Sequence, residues 1–314
     1  MIAASRGGRV AIARDAEMAR GAFAGPILVA SDASKGADAA LAAARVLGTL
    51  TGSEVSVVSV VEPLAFVGGG ASVTAPDVYL PLDPALDAKR RDDQQTLIRD
   101  QMKRMGVVDP WEIAVREGTP AQEIAERAKE IGAGMLVVGL THHSVLDRIL
   151  GRERALNIVR GSHVPVLAVP GELAGRPERI VVGVDFTPAS LDAARAAFIV
   201  ASADAMVQLV HVRASETRAP DVLAEWHANY HNALDGGFAL LESQIDVPPG
   251  VQLEHHAISG KVAQTLLARA EEWKADLVIV ATHGGGPIRR LTTGSVTAQV
   301  IRQANRPVLV IPAR

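Results

Sequence analysis

The chain contains no cysteine, which excludes disulfides, thiolate nucleophiles and cysteine metal sites. Aromatic residues make up only 3% of its 314 residues, and Ala, Val, Leu and Ile supply most of an apolar content of 48%. That mixture suits parallel strands covered by helices. An excess of one charge is also missing: the net charge is −3, with acids and bases spread along the chain, which argues against a nucleic-acid-binding face. No apolar run approaches the ~18–20 residues of a membrane span, so no transmembrane helix is expected. The first 24 residues carry Arg6, Arg9, Arg14 and Arg20 without a continuous apolar core. This stretch reads as a cytosolic N-terminal extension (1–24) rather than a secretory signal. Familiar enzyme signatures are absent too. No Gly-x-Gly-x-x-Gly follows the first strand of either half, Gly260-Lys261-Val262 lacks the upstream glycine and the Ser/Thr of a Walker A loop, and there is no Gly-x-Ser-x-Gly elbow.

What is present is a repeat. Met135-Leu-Val-Val-Gly139 corresponds to Leu277-Val-Ile-Val-Ala281, and Val164-Pro-Val-Leu-Ala-Val-Pro170 to Arg306-Pro-Val-Leu-Val-Ile-Pro312, both at an offset of 142 residues. Ile27 to Ser34 corresponds to Ile180 to Thr187 at an offset of 153. The difference of eleven assigns an insertion to the first copy, and Phe66 to Pro76, rich in turn formers, fits it. The period is too long for a solenoid and indicates two copies of one domain, 25–171 and 177–314, joined near Gly171 to Pro177. Apolar runs at 27–31, 54–61, 112–116, 135–139 and 165–169 read as strands of the first copy. Those at 180–184, 205–212, 251–258, 277–281 and 308–311 read as strands of the second. Helical patterns alternate with them, which predicts an α/β fold of two tandem, doubly wound, Rossmann-like parallel-sheet domains with five strands each.

The stretch after the strand at 277–281 carries the most chemical information. Ala281-Thr-His283-Gly284-Gly-Gly runs to Gly294-Ser295 and then into a helical pattern from Val296. Small residues at a strand-to-helix junction let backbone approach a ligand, and a helix start offers unpaired N–H groups and positive potential to an anion. Asp185 closes the first strand of the second copy and can meet the same crevice at the switch point of strand order.

With these residues in view, the chain resembles a tandem universal stress protein from about residue 25 to its end. The nucleotide-binding subgroup of that family carries Gly-x2-Gly-x9-Gly-Ser/Thr after the fourth strand. The second copy reads Ala281-x2-Gly284-x9-Gly294-Ser295, with alanine for the first glycine. Asp185 and the pair His211-Val212 also fit the family pattern. The resemblance implies ATP, with adenosine near Gly183, Val184, Asp185, Val212 and Val280. It implies phosphates near Gly284, Gly294, Ser295 and Val296, and Mg²⁺ or Mn²⁺ held mainly by those phosphates. Asp185 can alternatively serve as a helix cap or turn residue, and Gly284-Gly-Gly286 as a plain turn. His283 is the nearest candidate for a general base in a slow ATPase or, more simply, a loop or adenine-side contact, and Arg289 and Arg290 are phosphate contacts or a solvated face.

The first copy departs from the pattern, reading Gly139-x2-His142-x9-Arg152-Glu153. A carboxylate at 153 repels phosphate unless Arg152 neutralises it, and both side chains are expected to fill the site. The first copy is therefore expected not to bind ATP in the same way, and Asp32 to be structural. His227 and His231 share a helical face and make a Zn²⁺ pair or, more simply, part of an amphipathic surface; Asp221, Glu225 and His255-His256 are further ligand candidates. His142-His143 reads as a polar loop. The resulting expectation is a cytoplasmic, non-enzymatic, ATP-binding stress-response regulator, against a slow ATPase or a nucleotide-free scaffold. The adenine nucleotide and a protein partner of unknown identity are its expected partners, with neither nucleic acid nor membrane. The resemblance implies that the fifth strands, 165–169 and 308–311, pair to make one chain imitate a dimer, and a homodimer of the chain stays open.

Overall fold

The computed structural model describes residues 23–62, 84–108, 110–140, 145–171, 173, 175–213, 223–282 and 295–313, with side chains other than those of 84, 145–151, 223–232 and 295. The first half runs β1 (Ile27–Ala30), α1 (Lys35–Thr51), β2 (Val55–Val61), α2 (Pro84–Arg104), β3 (Glu112–Glu117), α3 (Pro120–Glu130), β4 (Met135–Gly139), α4 (Val145–Gly161) and β5 (Val166–Val169). The second runs β6 (Arg179–Gly183), α5 (Pro188–Val200), β7 (Met206–Arg213), α6 (Leu223–Glu242), β8 (Gln252–Ser259), α7 (Val262–Glu272), β9 (Leu277–Ala281), α8 (Ser295–Gln303) and β10 (Val308–Ile311). The predicted doubly wound α/β class is the observed one. The proposed insertion around Phe66–Pro76 lies outside the described residues.

All ten strands form one sheet in the order β3-β2-β1-β4-β5-β10-β9-β6-β7-β8. Within each half the pairing is parallel, and the order reverses between the first and fourth strands of that half. The halves join where β5 and β10 pair antiparallel, with Leu167 opposite Leu309. Those two residues differ by 142, the offset of the sequence repeat, so a local two-fold axis passes through this pair.

The central strands are Val-rich and buried because helices cover both faces. Val29, Val57, Val137, Ile180, Val182, Leu209 and Ile279 point into a core shared with α1, α2, α5 and α6. Leu28, Val58, Leu136, Val138, Val181, Val210 and Val278 point the other way, against α3, α4, α7 and α8. This alternation is the period of two expected for strands, and burial on both sides turns it into a continuous apolar run. Each core runs through both halves. Helix ends are set locally: α1 stops where Gly52 turns left-handed at φ 69°, its N–H bonded to the carbonyl of Gly48, and α5 starts at the Thr187 cap before Pro188. Among the described residues no helix is long and apolar enough to cross a membrane.

Candidate functional site

Beyond the carboxyl ends of the strands, each half has a crevice at its switch point, where doubly wound sheets place ligands. That of the second half has a volume of about 160 Å³. Its lining brings together Gly183, Val184 and Asp185 from the end of β6, Val212 from β7, Val280 and Ala281 from β9, and Val296 from the first turn of α8. These are seven of the eleven residues that the sequence puts at the nucleotide. Ser295 opens α8. His283, Gly284 and Gly294, with Arg289 and Arg290, lie outside the described residues.

The β6–α5 turn shapes one wall. Asp185 Oδ1 accepts from the Thr187 backbone N–H at 3.1 Å and from the Thr187 hydroxyl at 2.6 Å. Thr187 in turn caps α5 by accepting from the Ser190 N–H at 3.4 Å. Asp185 is thus a turn former and a lining residue together. Between them Phe186 adopts φ 62°, a left-handed conformation that bulky residues rarely take. Its ring lies 4.9 Å from that of His211 and 5.1 Å from that of Phe238. Gly237 makes room, since a Cβ there would come within 3.1 Å of the Phe186 ring. His211 Nδ1 lies 2.9 Å from the carbonyl oxygen of Val184, and because a carbonyl only accepts, Nδ1 carries the proton. At the far wall the Thr297 hydroxyl donates to the Ala281 carbonyl at 3.0 Å and ties α8 to the end of β9.

Thr187, Ser190, Val262, Leu266 and Thr297 also line the crevice. The Thr187-Pro188 pair is readable as a helix start. Leu266 and Val262 reach the site from α7, and only tertiary packing reveals that. Gly183 leaves room for that leucine, since a Cβ would stand 3.0 Å from Leu266 Cδ2 and the side chain would have to shift slightly.

The first half corrects one expectation. Its crevice, about 130 Å³, is lined by Ser31, Asp32, Ser34, Glu62, Gly139 and Arg154 among others. Arg152 and Glu153 are not in that lining and do not fill it. Both reach across to the second half. Arg152 donates to the carbonyls of Arg302 and, at 2.9 Å, Ala304, at the end of α8. Glu153 accepts from Arg302 at 2.5 and 3.1 Å, so Arg302 rather than Arg152 is its counter-ion. The hydrogen bond from Arg302 holds the Glu153 carboxyl below the usual glutamate range, against an opposing effect of burial. The side chains win over the crevice because orphan carbonyls at a helix end attract a guanidinium. Asp32 makes the same turn as Asp185, accepting from the Ser34 N–H at 3.0 Å.

Among the described residues no three His, Asp or Glu groups converge as a metal site. His255 bonds Glu242 at 2.7 Å and stacks on Phe238 at 4.4 Å. The side chains of His227 and His231, and all of Asp221, His142 and His143, lie outside the described residues.

Two copies of a doubly wound domain, each with a strand-end crevice and joined through their fifth strands, define the class of protein. Residues 24–170 and 177–312 each match the sequence profile described as "Universal stress protein family". The chain belongs to that family, with its domain present twice in tandem. A universal stress protein of Mycolicibacterium smegmatis is 27% identical over 208 residues, covering 64% of this chain and 68% of its own length. One of Mycobacterium tuberculosis is 29% identical over 188 residues, covering 56% of this chain and 58% of its own length. The crystal structure of a universal stress protein from Archaeoglobus fulgidus superimposes with a TM-score of 0.58 at 18% identity, covering 92% of this chain and 96% of that one. A Pseudomonas aeruginosa structure described as a putative universal stress protein gives 0.57 at 15% identity, covering 94% and 95%. At such identities these two structures speak for the fold.

Proposed function

We propose that the protein binds ATP in the crevice of its second half and acts as a nucleotide-responsive regulator in a stress response. The observation that carries this reading is the convergence of Gly183, Val184, Asp185, Val212, Val280, Ala281 and Val296, from four separate elements, on one crevice. Val184, Val212, Val280 and Leu266 offer apolar walls to a purine. Asp185 stands at the rim, where a carboxylate accepts from an adenine amino group or ribose hydroxyls. The start of α8 directs N–H groups and positive potential at a phosphate chain. ATP would bring a divalent cation held mainly by its own phosphates. Asp185 is engaged by Thr187 and the His211 Nδ1 by the Val184 carbonyl, and the reading is of binding rather than hydrolysis.

The test is titration calorimetry of the full chain with ATP and Mg²⁺, together with mass spectrometry of the nucleotide that co-purifies. Saturable binding at one site per chain, weakened at least about tenfold by Asp185→Ala through loss of one charge-assisted hydrogen bond, is the expected result. Protein that purifies without nucleotide and gives no binding heat with ATP would mean an interaction scaffold instead.

A further inference from the structure

With β5 and β10 occupied by each other inside the chain, β3 and β8 are the edges left to the ten-stranded sheet. Sheet edges are usually shielded by brevity, by proline or lysine, or by charge. β3 has six residues, and its Glu112, Arg116 and Glu117 each form an ion pair, with Arg127, Glu130 and Arg91. β8 is longer, at eight residues, contains neither proline nor lysine, and buries none of them.

The bonds that β8 makes inward identify those it leaves outward. The backbone N–H of Gln252 donates to the Ala205 carbonyl at 2.8 Å, and that of Gly260 to the Arg213 carbonyl at 2.9 Å. Between these points β8 runs parallel to β7 without a break in register. Alternate residues of a strand turn both backbone groups to the same side. Glu254, His256 and Ile258 therefore bond to β7, while Leu253, His255, Ala257 and Ser259 present N–H and C=O outward. Among the described residues no backbone group bonds to these four.

A second copy of the chain complements this edge. About a two-fold axis β8 pairs with itself, antiparallel, and the outward residues must meet one another. The axis then falls on a residue of β8 rather than between two. An axis on Glu254 sets it against the partner's Glu254, two like charges directly opposite. An axis on His256 sets Glu254 against the partner's Ile258. An axis on His255 sets Glu254 opposite the partner's His256, twice over, and Leu253 opposite the partner's Ala257. That register also overlaps nearly the whole strand.

We propose that the chain forms a homodimer through β8, in the register that places His255 against the partner's His255. Pairs of outward residues exchange two N–H···O bonds each, which prolongs the sheet from one chain into the next. Glu254 and the partner's His256 form the cross-strand pair on one face. Leu253 and the partner's Ala257 form the apolar one on the other. Each His255 stays bonded to Glu242 of its own chain, at 2.7 Å.

The experiment is sedimentation velocity of the full chain over a concentration series. The wild type should pass from monomer to dimer as concentration rises. Ala257→Pro removes an N–H that makes no bond within the chain, a place where an edge strand accepts proline. It should leave the Tm of the dilute protein close to that of the wild type. Dimer affinity should fall at least about tenfold, because both copies lose a bond. The chain has no cysteine, so disulfide trapping reads the register. Glu254→Cys and His256→Cys chains, mixed and oxidised, should cross-link to each other in preference to their own kind. A wild type that stays monomeric throughout overturns the proposal, and so does a dimer indifferent to Ala257→Pro. Assemblies that keep growing with concentration overturn it as well, since they indicate head-to-tail pairing of β3 with β8. Self-linked Glu254→Cys dimers in excess overturn the register.

Discussion

Single residues at the strand ends show how closely this fold is packed. Gly139 closes β4, and a Cβ on it would stand 2.4 Å from the carbonyl oxygen of Gly36 in α1. The clash is with backbone, which cannot swing away as a side chain can. Gly139→Ala should therefore cost about 1–3 kcal/mol, the usual range for overpacking, measured by urea denaturation. The equivalent residue of the second half is Ala281, which packs against the core. Ala281→Gly should cost only about 0.5–1 kcal/mol, the backbone-entropy difference at a strand position. Similar losses at the two sites would contradict the glycine's role in bringing α1 against β4. The same position thus departs from the family marker in the half whose sequence keeps the other marker residues.

At the level of elements, the clasp between α4 and α8 makes a pH-dependent contribution whose sign is fixed. Hydrogen bonding from Arg302 lowers the Glu153 pKa in the folded state. A depressed carboxylate pKa gives stability that is complete above the unfolded value of about 4.3 and disappears as pH falls through the lower folded value. Both partners are more than a third exposed, at 45% for Arg302 and 39% for Glu153, so solvent screening keeps the pair to about 0.2–1 kcal/mol. Glu153→Gln should lose that amount at pH 7 in low salt. The gap from wild type should close in 1 M salt and at a pH below the folded pKa of Glu153, as followed by chemical denaturation. A gap that persists at acid pH would mean that glutamine damages packing instead.

Elements were also what the sequence disclosed best. Ten runs gave ten strands; in the central ones burial on both sheet faces leaves an uninterrupted Val/Leu/Ile signal, whereas the edge strands β3 and β8 are half-buried or exposed along their length, and the strand at 308–311 falls on the same residues in both readings. The seven residues that line the crevice were named through the resemblance to the family, which implies nucleotide contacts at strand ends and a helix start. Leu266 and Thr297 were not legible, since they look like ordinary residues of amphipathic helices until α7 and α8 are laid on the sheet. The fate of Arg152 and Glu153 was hidden for a related reason. Alignment with Gly294 and Ser295 says which positions they hold, but only the antiparallel meeting of β5 and β10 brings the end of α8 within their reach.

For the whole molecule, the joint between the halves determines how the chain unfolds. Each of the two cores includes residues of both halves, and Leu167 and Leu309, facing each other at the two-fold, are 3% and 1% exposed. Neither half can leave the other without baring an edge strand and the apolar side chains behind it, a hazard for any sheet. Scanning calorimetry should accordingly show one transition, with calorimetric and van't Hoff enthalpies equal. Leu167→Ala should lower stability by about 2–5 kcal/mol, as for other leucines truncated in a closed core. ATP bound in the second half should then protect the first as well. A ligand that binds only the native state adds about 2.7 kcal/mol at a hundred times its Kd, and in one cooperative unit that increment shifts the single transition upward without splitting it. If ATP instead separates a high-melting peak from an unmoved low one, the halves unfold independently, and the continuous sheet does not couple them.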